Sequence, residues 1–481
     1  MEELSVLSSI TPSKEVVQTL DVLRKGTKTL IWEGLKGSSY AFFAASVAIE
    51  IGGKHLFVLQ DKETAAYFLN DLEGILGTSK QVLFFPASMK VPYQLEETQN
   101  ANVVYRAEVL EKLNTDKTWL VVTYPQALFE KVPTQRKLVN HTMKIESGKD
   151  YSIDFLNELL IEYGFERVDF VYHPGQFAIR GGIVDVFSFS SDQPYRIEFF
   201  GDEVETIRGF DATTQLSQKN FSFFNIIPNV QSAHLLQEEA DIFSYLGNNA
   251  TCWVQNLDML SDGVNAMFLK AQEYFKKNKS ALALTQPEQL FVYGEQLRTA
   301  LAAIPVIYNG LPTLKLEAIR VDFQVAAQPS FNKNFDVLRS DLERYLAQGY
   351  KLHFFSNQPR QLQRLEQIFE DTGEAIPIIP NHFAIHEGFI LPGQKLLCYT
   401  DHQIFERYHR FQLKEGFRQA SQALTLKELY NLQKGDYVTH IDHGVGMFSG
   451  LETIDVNGKP QEAVRLVYKD GDVLYVGIHA L

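Results

Sequence analysis

The chain has 481 residues, 45% of them hydrophobic and 22% charged, with a formal net charge of −14 and a sequence pI near 5.4. That length calls for roughly three to five domains rather than one core, and the acidic balance argues against a broad duplex-binding surface, which needs clustered Lys and Arg. Cys252 and Cys398 lie far apart, so no disulfide framework is implied. The start Met1-Glu2-Glu3-Leu4 lacks a basic n-region, and no apolar run approaches eighteen residues, which together read as cytosolic with no membrane role.

The first block, 1–130, alternates strand and helix. Apolar runs at Thr29–Trp32, Lys54–Gln60, Val82–Phe85 and Thr118–Thr123 read as buried strands. Tyr40–Ile51, Thr64–Leu76 and Asn102–Leu113 read as the helices between them, the pattern of a mostly parallel sheet. The first strand leads into Gly34-Leu35-Lys36-Gly37-Ser38-Ser39-Tyr40-Ala41, where a phosphate-binding loop would sit. A working loop of that kind needs a lysine for the phosphates followed by a Ser or Thr for magnesium. Lys36 comes too early to serve.

Residues 131–208 read as a small module that ends in a run of short strands. Over 172–211 the sequence is YHPGQFAIRGGIVDVFSFSSDQPYRIEFFGDEVETIRGFD. Gly181-Gly182 and Gly201-Asp202 supply turns where φ > 0 is cheap. Strand alternation sends Arg196, Glu198 and Phe200 to one face and Ile197 and Phe199 to the other. The first face shows an arginine beside an aromatic, and those are hot-spot residue types.

The α/β pattern returns over 209–328, with Ala250–Leu257 as a sheet strand. A second small α/β unit covers 329–410: a helix over Phe335–Gln348 stopped by Gly349, a strand at Tyr350–Ser356, a charged helix over Pro359–Thr372, and strand segments within Gly388–Tyr399. His382 and His386 lie four apart, but Pro380 and the strand-like surroundings argue against a metal pair. Residues 411–430 read as a polar linker with partial helix. The last segment, 431–481, alternates strands (Tyr437–Ile441, Gly446–Asp455, Glu462–Tyr468, Val473–Val476) with turns at Asn457-Gly458 and Asp470-Gly471, the pattern of a small bent β-barrel. His440 and His443 have no cysteine or further histidine beside them, so no metal site is expected.

Two of these stretches carry a resemblance. Gly175, Phe177, Arg180, Gly181, Gly182, Asp185, Phe187, Pro194, Arg196 through Glu205, Arg208, Phe210 and Asp211 resemble the module shared by the excision-repair protein UvrB and the transcription-repair coupling factors of the Mfd family. The strings HIDHGVG and KDGDVLYV resemble the RNA-polymerase-interacting domain of that family and of CarD-type regulators. UvrB lacks the polymerase domain and CarD lacks the UvrB-like module, so a chain with both looks like an Mfd-type coupling factor.

The resemblance implies a degenerate helicase-like α/β block interrupted by a module that docks the ATPase UvrA through Arg180, Arg196 and Phe200. It also implies a terminal domain that binds the polymerase β subunit by a strand edge within Phe448–Val456, with Leu451 and Ile454 as apolar candidates. In register with the family's loop G-x-x-G-S-G-K-T, the glycines are Gly34 and Gly37, the lysine position is Tyr40 and the hydroxyl position is Ala41. The Asp-Glu pair that ends the comparable UvrB strand is missing after Ala250–Leu257. No cofactor is therefore expected. The resemblance further implies that ATP, magnesium and DNA binding belong to motor domains beyond Leu481, so the chain reads as the N-terminal adaptor part, monomeric, in the bacterial cytoplasm. On the residues alone, a regulator that binds polymerase only and a helicase-like ATPase or nucleic-acid grip stay open.

Overall fold

The computed structural model describes residues 6–77, 81–89, 92–93, 100–115, 117–191, 193–230, 239–247, 249–278, 285–310, 318–372, 375–407, 434–440, 444–456, 459–469 and 471–477. The chain divides into two compact units, Met1–Leu413 and Lys414–Leu481. It is a mixed α/β protein with several sheets and small domains.

The larger unit is built on a seven-stranded, all-parallel sheet in the order Ile319–Asp322, Thr29–Glu33, Val306–Asn309, Ala250–Val254, Lys54–Val58, Trp119–Thr123, Val82–Phe84. Its strands come from both sides of the module, so the sheet closes only after the chain has returned from it. The core strands Ala250–Val254 and Trp119–Thr123 are buried at every position, as parallel strands covered on both faces must be. Helix Ser39–Ile51 is buried over its first ten residues. It packs on the sheet through Phe43 and Phe323, with ring centroids 4.7 Å apart, and on the second small α/β domain through Phe42 against Phe355 and Phe389. A helix that is apolar all round needs this enclosure. Ala250–Leu257 does not run on as one strand. It ends at Val254, and Asn256 Oδ1 accepts the Met259 amide at 3.0 Å to start helix Leu257–Asn278.

The module is a six-stranded sheet in the order Ser217–Phe221, Glu203–Phe210, Tyr195–Phe200, Ile183–Val186, Gln176–Arg180, Glu166–Arg167. Gly181 at φ 60° and Gly201 at φ 66° turn the hairpins. Val184, Val186, Ile197, Val204 and Ile207 are buried, as are Leu156 and Leu160 on helix Ile153–Glu162.

The second small α/β domain is a five-stranded sheet in the order Ala326–Ala327, Phe389–Leu391, Leu396–Thr400, Lys351–Phe355, Ile379–Asn381. Helices Phe335–Ala347 and Pro359–Thr372 pack on it through Leu338, Leu342, Leu365 and Phe369. The expected linker, 411–430, lies outside the described residues.

In the smaller unit, Tyr437–His440, Gly444–Val456, Lys459–Val467 and Val473–Gly477 form an antiparallel meander in sequence order around Phe448, Val464, Leu466 and Val476. The expected barrel would need the first and last strands to pair, and no such pairing is present among the described residues. The turn at Asn457-Gly458, Asp470 and His443 lie outside the described residues.

Candidate functional site

Alternation and register put two cross-strand rows on one face of the module sheet. Ala178, Asp185, Arg196 and Arg208 pair across four strands in the first row, and Arg180, Ile183, Glu198 and Thr206 in the second. Asp185 is fully buried and anchors the face. Arg196 Nε donates to its Oδ1 at 2.7 Å and Arg196 Nη2 to its Oδ2 at 2.9 Å, a fork-to-fork geometry. Arg180 donates to the same Oδ2. The Arg196 guanidinium also lies 4.6 Å from the Phe210 ring centroid, and its bond to Asp185 raises its pKa further above the ordinary arginine value. Arg208 pairs with Glu198, which also accepts from Thr206 Oγ1 at 2.8 Å. The result is an ordered ladder of ion pairs across the face.

The three family-implied residues sit differently on this face. Phe200 is 80% exposed, with nothing in its own fold to justify an aromatic there. The Arg180 side chain is 36% exposed and that of Arg196 only 17%, so Arg196 is as much a fold-holding residue as a surface one. The register shifts between Glu198 and Phe199. The extra residue of this bulge is Glu205 on strand Glu203–Phe210, where it breaks strict alternation; Phe199, near the end of its own strand, is half-buried. Sequence reasoning gave Asp185, Glu198 and Arg208 no role, because it fixed neither the hairpin register nor which carboxylate faces which guanidinium.

The loop Gly34–Ala41 is filled from within. Tyr40, at the lysine position, is buried with its ring centroid 4.9 Å from Phe68 and 6.4 Å from Trp32. Ala41 is fully buried. Ser39 Oγ closes the loop by donating to the Lys36 carbonyl at 2.6 Å. The concave side holds a peptide of the second small α/β domain: the Ser38 amide donates to the Glu387 carbonyl and the Glu387 amide to Ser38 Oγ, both at 3.0 Å. Gly37 sits at φ 53°, and a Cβ there would come within 2.8 Å of the Gly388 carbonyl and 2.9 Å of that of Glu387. Beside it the His386 amide donates to buried Asp71 at 2.8 Å, and the His386 ring stacks on Tyr67 at 3.7 Å. Burial pushes the Asp71 carboxyl up to about 7, against the pull of its bonds from Ser38 and His386.

In the smaller unit, Leu451 is 36% exposed and lies opposite Val464, and the backbone of Ile454 lies opposite Gln461. Pairing of the long strand with its first neighbour stops near Phe448. From Ser449 onward one of its edges has no partner among the described residues, where also no group of three or more His, Cys, Asp or Glu could hold a metal and no helix is long and apolar enough to cross a membrane.

Two family descriptions match this chain. The UvrB interaction domain matches residues 143–231 and so takes in the whole arginine ladder. The CarD-like/TRCF RID domain matches residues 432–481. The transcription-repair-coupling factor of Bacillus subtilis (strain 168) is 25% identical over 99% of this chain and 46% of its own length. Those of Staphylococcus aureus strains RF122 / ET3-1 and USA300 are 24% and 25% identical over 70% of the chain and 35% of their own length. The chain thus spans less than half the length of the relatives it matches. A UvrB interaction domain is thus followed by a CarD-like domain in one chain, and the chain is similar to the transcription-repair-coupling factor of Bacillus subtilis along nearly all of its length.

Proposed function

We propose that this chain acts as an adaptor that joins stalled transcription to excision repair. The module docks UvrA through Arg180, Arg196 and Phe200, and the terminal sheet binds the RNA polymerase β subunit along the strand edge near Leu451 and Ile454. The observation that carries the reading is Phe200, 80% exposed at the end of a charge ladder whose other members are held in place. Aromatic and arginine side chains fixed before binding cost little entropy to dock. The Gly34–Ala41 loop takes no part as an ATP site, because its concave side is filled by Glu387 and Gly388. The adaptor works as a cytoplasmic monomer, without a cofactor of its own.

Calorimetric titration of UvrA into the chain tests the first half. Binding by the parent that drops tenfold or more in Phe200→Ala supports the docking face. Equal binding by both would remove Phe200 from it, and no binding by the parent would leave a protein that binds polymerase alone. A titration with magnesium and ATP at millimolar concentration is expected to give no heat of binding; saturable heat would return the ATPase reading.

A further inference from the structure

Arg180, Arg196 and Phe200 are too few for a docking surface by themselves. A specific interface buries about 800 Å² on each partner, and Arg196 is already mostly covered. Two further apolar side chains stand exposed beside the same arginines: Phe170 at 52% and Leu216 at 68%. The Arg180 guanidinium lies 5.1 Å from the Phe170 ring centroid, and its Nη1 donates to the Asp169 carbonyl at 2.6 Å. Arg196 Nη1 donates to the Gln215 carbonyl at 3.3 Å, and Gln215 Nε2 donates to the Val171 carbonyl at 3.0 Å. The segment before strand Gln176–Arg180 and the loop after strand Glu203–Phe210 are therefore tied to each other and to the arginine pair.

The loop that carries Leu216 is fixed. Asp211 Oδ1 accepts the amides of Thr213 and Thr214 at 3.0 and 2.7 Å, and the Asp211 amide donates back to the Leu216 carbonyl at 3.0 Å. Gln215 holds φ 61°, a conformation non-glycine residues rarely keep without support. A large apolar side chain held on such a loop is presented rather than merely left over. Leu216 follows the end of strand Glu203–Phe210 that pairs with Tyr195, whereas Phe200 is at the other end of strand Tyr195–Phe200, about 17 Å away at strand rise. Charge points to the kind of partner. The ladder itself holds three guanidinium groups (Arg180, Arg196, Arg208) against two carboxylates (Asp185, Glu198), one positive charge in excess within the ladder on a chain of net charge −14.

We propose that Phe170 and Leu216 form a second apolar anchor of the docking face, so that an acidic surface of the partner protein is gripped over the arginines with an apolar contact at either end. This rests on the reading that the face docks UvrA, and UvrA is the committed occupant.

The test titrates UvrA into the full chain and into Phe170→Ala, Leu216→Asn and Phe200→Ala, each first checked for an unchanged thermal midpoint. Roughly tenfold weaker binding is expected for each of the three. Parent-like affinity in both Phe170→Ala and Leu216→Asn, with Phe200→Ala weakened, would overturn the second anchor and leave the docking reading standing. Loss confined to Phe170→Ala would assign the effect to release of Arg180, whose guanidinium lies over that ring, and also overturn the second anchor. Loss confined to Leu216→Asn would overturn the pairing with Phe170. Parent-like binding in all three variants, or none by the parent, would take the docking reading down as well.

Discussion

The Gly34–Ala41 loop and the arginine face of the module are both sites of polar groups in unusual backbone settings, yet they have opposite economies. At the loop every well-placed group is turned inward: Ser38 and Ser39 bond to Glu387 and Lys36, and Tyr40 has become part of an aromatic core. At the module face the buried carboxylate of Asp185 holds two guanidinium groups that remain partly exposed, and Phe200 is left in water. A site that keeps its shape for a partner leaves bonding capacity facing solvent. The Gly34–Ala41 loop, by contrast, is filled by its own chain.

The largest effect that separates the two is expected from Arg196→Ala. It removes two of the bonds to the buried Asp185 carboxylate and leaves Arg180 as the remaining cation there. Leaving a buried charge underpaired is strongly destabilising, and a loss of about 2–3 kcal/mol is expected in denaturant unfolding, with UvrA affinity falling partly for that reason. Arg196→Lys keeps the charge but not the fork and should lie between. Unchanged stability in Arg196→Ala would mean that the ladder is a surface feature only. Next comes Gly37→Val, which places a β-branched side chain at φ 53° against two carbonyl oxygens. A cost of roughly 1–3 kcal/mol follows, with faster hydrogen exchange at the Glu387 and Gly388 amides and no change in UvrA binding.

The Asp71 contact adds a pH dependence at the loop but not at the face. Its folded pKa is raised to about 7 from an ordinary value of 3.8. The protonated carboxyl is therefore favoured by folding, and its contribution is fully present below pH 4 and lost as pH rises through 7. Between pH 6 and pH 8 the loss is about 1 kcal/mol. The groups around it are the Ser38 hydroxyl, the His386 amide and the Glu387 carboxylate, whose charge acts in the same direction. Denaturant unfolding at the two pH values should show the difference in the parent and a smaller one in Asp71→Asn. Equal slopes in both would place the pH dependence elsewhere.

Much of this was legible in the sequence, for a physical reason. The parallel strands are continuous apolar runs, the hairpin turns carry Gly at positive φ, and Tyr40 and Ala41 stand where a phosphate-binding loop would carry its lysine and hydroxyl. Long-range pairing was not legible. Nothing local in His386-Glu387-Gly388 says that it fills a loop some 350 residues earlier, and nothing near Asp185 says that it will face Arg196. The bulge at Glu198/Phe199 is a change of one residue in register, below what alternation can resolve. It places the extra residue, Glu205, on strand Glu203–Phe210, so that Val204 and Ile207, three apart, are both buried.

The smallest effect on the fold is expected from Phe200→Ala, and it sharpens the comparison most. An 80% exposed ring buries little on folding, so stability should stay within about 0.5 kcal/mol of the parent. If the face is a docking site, the same substitution should weaken UvrA binding by tenfold or more, because an exposed aromatic contributes its burial only in the complex. Arg196→Ala cannot make this separation, since its binding loss is mixed with a folding loss. A Phe200→Ala protein that is less stable by 2 kcal/mol would mean that the ring packs on its own module. The face would then resemble the loop, with its residues engaged within the chain and nothing held out for a partner.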